Sequence, residues 1–108
     1  MTPIAAAVIS EILDFDAAVG AALDFARRQE RTLTVVTSDH ETGGFAIHDG
    51  SIQKREVSAT AFTAGGHTAS MVPLFADGPS SSNFSGILDN TRMGQIMIGL
   101  ITKRKIKE

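Results

Sequence analysis

Cysteine is missing from this 108-residue chain. Disulfides and thiolate metal sites are therefore excluded, and the redox compartment stays open. Any transition metal must be held by imidazole and carboxylate. A strong charge of one sign is also missing: ten Lys and Arg against twelve Asp and Glu leave a formal net charge of −2. That balance gives no reason to expect nucleic acid or an anionic membrane as partner. Basic residues do gather in "KRKIKE", but so short a run reads as a solvated basic tail over residues 102–108. The N-terminal "MTPIAAAVIS" has no basic region before its apolar run and no convincing cleavage site. It reads as neither a signal peptide nor a membrane span, so the expectation is a chain without an export signal of its own. The glycines fit neither a Walker loop nor a dinucleotide fingerprint. There is no G-x-S-x-G elbow, and the consecutive Ser38, Asp39 and His40 cannot easily converge as a catalytic triad.

What is present describes a globular domain or a piece of one, 43% hydrophobic and 20% charged. The spacing predicts an amphipathic helix in "EILDFDAAVGAALDFARRQ". Asp14 is its expected N-cap, Phe15, Val19, Ala22, Leu23 and Ala26 its apolar face, and Arg27 and Arg28 its last turn. "TLTVVTS" is β-branched and continuous, which predicts an interior strand covered on both faces. Helix then buried strand is half of a βαβ unit, and "IAAAVI" is the available candidate for the preceding strand. Downstream, "GFAIH" predicts a short strand, "DGS" a turn and "IQKREVSATAFT" strand and loop. "SMVPLFADGP" predicts a strand running into a Gly-Pro turn, with Pro73 disfavouring a central position. "SSSNFSG" reads as loop. A last helix starts near "DNT", capped by Asp89, Asn90 or Thr91 and burying Met93, Ile96, Met97 and Leu100. No internal repeat or domain boundary is evident, so the expectation is one α/β domain over residues 1–108.

The chemistry concentrates where the strand stops, in "TVVTSDHETGG". Ligands of open α/β sheets gather beyond the carboxyl ends of strands, and Asp39 and His40 stand there. Neighbouring strand residues point to opposite faces, so these two can share an ion only if the chain turns between them. Gly43 and Gly44 supply conformations for such a turn. Ordinary strand-end chemistry, with Ser, Asp and Thr satisfying backbone donors, explains the same residues. His67, in "GGHTAS", also follows a glycine pair and can project from a loop into a cleft or simply lie at the surface. His48, in "AIHDG", has only Asp49 near it and is taken as structural.

In combination, "EILDFDAAVGAALDFARRQERTLTVVTSDHETGG", "GGHTASMVPLFADGP" and "FSGILDNTRMGQIM" resemble the C-terminal part of an alkaline phosphatase, over nearly the whole chain to about residue 100. The resemblance implies a partial three-layer αβα sandwich, with a mixed, mainly parallel sheet flanked by helices. It implies phosphate monoester hydrolysis with two zinc ions and a nearby magnesium. Asp39 and His40 match the acid-histidine pair on the zinc that activates a serine nucleophile. His67 matches a ligand of the other zinc, which activates water and stabilises the leaving oxygen. The family's nucleophile, phosphate-gripping arginine, magnesium ligands and remaining zinc ligands lie in segments that would precede this helix and have no match here. The expectation is thus a C-terminal fragment with part of the zinc site, inactive alone, whose exposed strand edge drives association. The alternatives are a non-catalytic metal-binding or self-associating domain, in the simplest case a homo-oligomer, and a complementing upstream chain. Full-length relatives are usually periplasmic or extracellular, which leaves the localisation of this chain undetermined.

Overall fold

The computed structural model describes residues 2–102. It opens with helix α1 (Pro3–Arg28), followed by strands β1 (Thr34–Thr37), β2 (Ala46–Ser51), β3 (Glu56–Ala61) and β4 (Leu74–Asp77). A 3-10 turn (Ser81–Phe84) and helix α2 (Asn90–Thr102) complete it. The strands form two two-stranded sheets, β1 with β4 and β2 with β3. The described residues fall into two compact units. One holds α1 up to Ala22 together with Thr37–Pro73; the other holds Leu23–Val36 and the chain from Leu74 onward.

In the first unit, α1 begins earlier than the apolar spacing predicts. Thr2 is the cap: its Oγ1 accepts from the Ala5 amide at 3.2 Å and its carbonyl from the Ala6 amide at 3.1 Å. Pro3 then occupies the first helical position, where its missing N–H costs nothing. "IAAAVI" is accordingly helical rather than a strand, because its alanines favour the helix that Thr2 and Pro3 start. Asp14 lies inside the helix and caps nothing. Further on, β2 and β3 form an antiparallel hairpin pairing Ile47 with Thr60 and Gly50 with Val57. The register slips at His48, leaving that exposed imidazole on a bulge. "DGS" belongs to β2 and not to a turn. The reversal comes at residues 52–55, where the Arg55 amide reaches the Ile52 carbonyl at 3.2 Å and Ser51 Oγ accepts from the Lys54 amide.

The second unit carries most of the buried apolar side chains: Ala26, Phe84 and Ile96. β4 starts directly after Pro73, which agrees with the restriction that proline imposes. "SSSNFSG" is not plain loop, since Ser81–Phe84 closes a 3-10 turn that buries Phe84. Helix α2 starts as expected. Asp89 Oδ1 accepts from the Thr91 and Arg92 amides at 2.9 and 3.1 Å, satisfying two donors that the helix leaves open. Ile96 is buried and Met93 and Leu100 half-buried, but Met97 is 42% exposed. Leu33 and Val35 of the β1 segment and Met97, Leu100 and Ile101 of α2 line an open recess of about 440 Å³. Val35 and Val36 are thus half-buried, and β1 is not covered on both faces as its composition predicts. The basic tail expected over 102–108 lies, beyond Thr102, outside the described residues.

Candidate metal centre

Both loops of interest lie in the first unit. The β-branched run stops at Thr37, whose hydroxyl donates to the Pro73 carbonyl at 3.0 Å. The chain then bends through Ser38–His40, pinned by the Ser38 hydroxyl donating to the His40 carbonyl at 2.6 Å. Asp39 and His40 turn back on each other: the His40 amide donates to Asp39 Oδ1 at 3.1 Å, and the His40 Nε2 atom lies 3.4 Å from Asp39 Oδ2.

The His40 ring is oriented from its other nitrogen. Nδ1 lies 3.0 Å from the Glu41 carbonyl oxygen. A carbonyl only accepts, so Nδ1 carries the proton, and in the neutral ring Nε2 presents its lone pair. That lone pair faces a carboxylate oxygen. Two acceptors at 3.4 Å call for a cation between them, either a proton or a metal. Two donors each about 2.0–2.1 Å from a tetrahedral zinc stand about 3.3 Å apart, so the pair has the chemistry and spacing for that ion. A carbonyl holding the distal N–H is also the usual way a metal-binding imidazole is oriented.

His67 arrives from the second glycine loop. Its ring centroid lies 3.6 Å from that of His40, with the planes at 38°. Backbone bonds join the loops: the Gly43 amide donates to the Gly66 carbonyl at 2.8 Å, and the Thr63 and Ala64 amides donate to the Gly43 carbonyl at 2.8 and 3.2 Å. Gly43 and Gly44 have φ of 68° and 59°, in the left-handed region that side chains disfavour. A Cβ on Gly43 would meet Phe62 at 2.9 Å and the Ala64 carbonyl at 3.0 Å, and one on Gly44 would overlap the Thr63 hydroxyl. The glycine pair therefore lets the loops close as well as turn.

All three residues singled out from the sequence, Asp39, His40 and His67, thus stand together, whereas His48 stays apart on its bulge. One residue of the cluster escaped that selection. Glu41 accepts from the Gly44 amide at 2.6 Å through Oε1 and from the Thr68 hydroxyl through Oε2. The Thr68 hydroxyl, more than any other influence, holds its carboxyl below the ordinary value. Position 41, three residues before a glycine amide, was the available signal for the first bond; nothing local signalled the second. Among the described residues no group of three or more His, Asp or Glu side chains is placed to hold one ion. The donors brought together here do not by themselves close a coordination sphere.

Comparison with known proteins matches residues 3–60 to the alkaline phosphatase family model. Alkaline phosphatase 3 of Bacillus subtilis is 28% identical over 81% of this chain and 34% of its own length. Streptomycin-6-phosphate phosphatase of Streptomyces griseus is 36% identical over 79% of this chain and 22% of its own. Among solved structures, the alkaline phosphatase of the Antarctic bacterium TAB5 superposes with a TM-score of 0.77 at 44% identity, covering 92% of this chain and 30% of that enzyme. A histidine-to-glutamate variant of the same enzyme, solved with magnesium bound, matches at 43% identity and TM-score 0.77. The chain therefore spans about a fifth to a third of the length of these relatives. Its mixed helix and sheet are those of that share of the fold, and this chain belongs to the alkaline phosphatase family.

Proposed function

We propose that this chain carries part of the two-metal centre of an alkaline phosphatase-type phosphate monoester hydrolase. The Asp39 and His40 pair would hold one divalent ion and His67 the other, with zinc the metal best suited to imidazole and carboxylate. Magnesium, with its preference for oxygen donors, finds no matching set among these three residues. When bound, such ions would supply Lewis-acid stabilisation of charge on a phosphoryl group and would lower the pKa of a coordinated nucleophile. This chain's own contribution is placement. Asp39 supplies a carboxylate oxygen, and the Glu41 carbonyl keeps the His40 lone pair turned toward it. The backbone bonds between the glycine loops bring His67 alongside.

The observation that supports this most directly is His40 Nε2 lying 3.4 Å from Asp39 Oδ2 while Nδ1 is engaged at the Glu41 carbonyl. Two zinc ions with three or four ligands each need more groups than Asp39, His40 and His67 provide, so the 108 residues alone are proposed to be catalytically silent. Titration calorimetry should show weak zinc binding by the chain, reduced at least tenfold by His40→Ala, with no hydrolysis of p-nitrophenyl phosphate. Turnover by the purified chain that disappears in His40→Ala would overturn the proposed silence. Zinc binding indifferent to both His40→Ala and His67→Ala would overturn the metal assignment. Co-expression with the upstream portion of a family member tests whether a complementing chain restores activity.

A second reading, a self-associating domain, is favoured by α1. Ile4, Val8, Ile12, Phe15 and Val19 recur at three- and four-residue spacing, yet Ile4, Ile12 and Phe15 are exposed. A discrete dimer in sedimentation, dispersed by Ile12→Ser with Phe15→Ser, would support it. Among the described residues no helix is long and apolar enough to cross a membrane.

A further inference from the structure

We propose that Glu41 is a positioning residue, a clasp whose carboxylate holds the His67 loop against the His40 loop and so sets the distance between the two imidazoles. The inference deepens the metal-centre reading, and its zinc measurement rests on that reading; its measurement of ring contact does not.

Glu41 follows His40 directly, so its backbone moves with that ligand, and its carbonyl is the group that fixes the His40 tautomer. Its side chain is fully engaged elsewhere. Oε1 takes the amide of Gly44, inside the turn, and Oε2 takes the hydroxyl of Thr68, the residue after His67. One carboxylate thus ties down the turn after one candidate ligand and the backbone beside the other. The other bonds between the loops lie at Gly43, Thr63, Ala64 and Gly66, all before His67, and run from main chain to main chain apart from the Thr63 hydroxyl donating to the Gly43 carbonyl at 3.4 Å. The Glu41 to Thr68 bond holds the far side of that histidine. Without it, the next anchor after His67 would be the Pro73 carbonyl, held by the Thr37 hydroxyl at 3.0 Å, and the His67 ring would lose the fixed 3.6 Å approach to His40. A carboxylate accepting from both a hydroxyl and an amide makes strong, directional bonds, which suits a clasp better than a lone hydroxyl would.

Substitutions separate shape from charge. Glu41→Gln keeps an oxygen for the Gly44 amide and offers an amide to the Thr68 oxygen, so the clasp persists without its charge. Glu41→Asp is a methylene too short to reach both partners, and Glu41→Ala removes both bonds. Thr68→Val removes one partner while leaving the shape. Two measurements on the full chain follow: nuclear Overhauser contacts between the His40 and His67 ring protons in metal-free protein, and zinc affinity by calorimetry. Wild type and Glu41→Gln should keep the ring contact, with zinc affinities within about threefold of each other. Glu41→Ala and Glu41→Asp should lose it, with zinc binding about 10–100-fold weaker, the range for removal of a group that orients a ligand. Adding Thr68→Val to Glu41→Ala should cost only the long 3.4 Å bond from the Ser70 amide to the Thr68 hydroxyl, because the Glu41 to Thr68 bond is already gone.

The proposal is overturned if Glu41→Ala keeps the ring contact, or if Glu41→Gln is as damaged as Glu41→Ala. Should Glu41→Ala fail to fold, Thr68→Val alone carries the test: an unchanged ring contact in that variant also overturns it. If wild type binds no zinc while the ring contacts follow this order, the metal assignment falls and the clasp stands.

Discussion

The glycine pair after His40 shows how little freedom the cluster has at single positions. Gly44 combines a φ of 59° with a Thr63 hydroxyl in the space where a Cβ would go. Gly44→Ala should therefore lower stability by about 1–2 kcal/mol from backbone handedness alone, before any displacement of Thr63. Chemical denaturation would show the loss, and a smaller ring contact between His40 and His67 would accompany it. Asp89 makes the same kind of case at the start of α2. Its carboxyl is held below the ordinary value chiefly by the Thr91 hydroxyl, then by the Arg92 amide. A carboxyl depressed in the folded state stabilises fully above its unfolded value of 3.8, and that contribution is lost as pH falls through the lower folded value. Asp89→Ala should thus lower the thermal midpoint at neutral pH and converge with wild type in strong acid, as a pH series of melting curves would report. A constant difference down to pH 2 would contradict the assigned cap.

At the scale of elements, the start of α2 was readable from its residues, because an Asp before a run with helical spacing is a local signal. The start of α1 was not. "IAAAVI" is apolar and partly β-branched, which fits strand or helix, and the decision rests on Thr2 and Pro3 just before it. Periodicity also misled on burial. Phe15 at 55% and Met97 at 42% exposure lie on faces that the spacing marks as apolar, but spacing names a face without saying what covers it. Asp39, His40 and His67 could be picked out as ligand types beside glycine pairs. Their convergence depends on main-chain bonds between distant loops, which no residue spacing encodes. Where burial is real, the cost of removing it should be plain. Ile96, 1% exposed in the middle of α2, should lose about 2–5 kcal/mol on truncation to Ala. Met97→Ala, one residue along on the exposed side, should lose much less. Equal losses from urea titrations would mean that α2 packs differently.

Taken whole, the molecule buries few large apolar side chains among its described residues, while Ile52 and Ile87 stand 92% and 84% exposed. Its hydrophobic stabilisation is correspondingly small, since that contribution scales with the area removed from water. Unfolding should be broad and the chain prone to concentration-dependent association, as sedimentation between about 5 and 100 μM would measure. Replacing Ile12 and Phe15 with Ser should lessen that association, because both lie on the uncovered stripe of α1. The relatives, roughly three to four times as long by the shares of length matched, have additional chain with which to cover such faces.

The bond from the Gly43 amide to the Gly66 carbonyl has a practical use. Its proton swaps with deuterated solvent only when the two loops part, so the protection of this one amide gauges assembly of the pocket. Such a gauge works before any ion is added and in a sample that hydrolyses nothing.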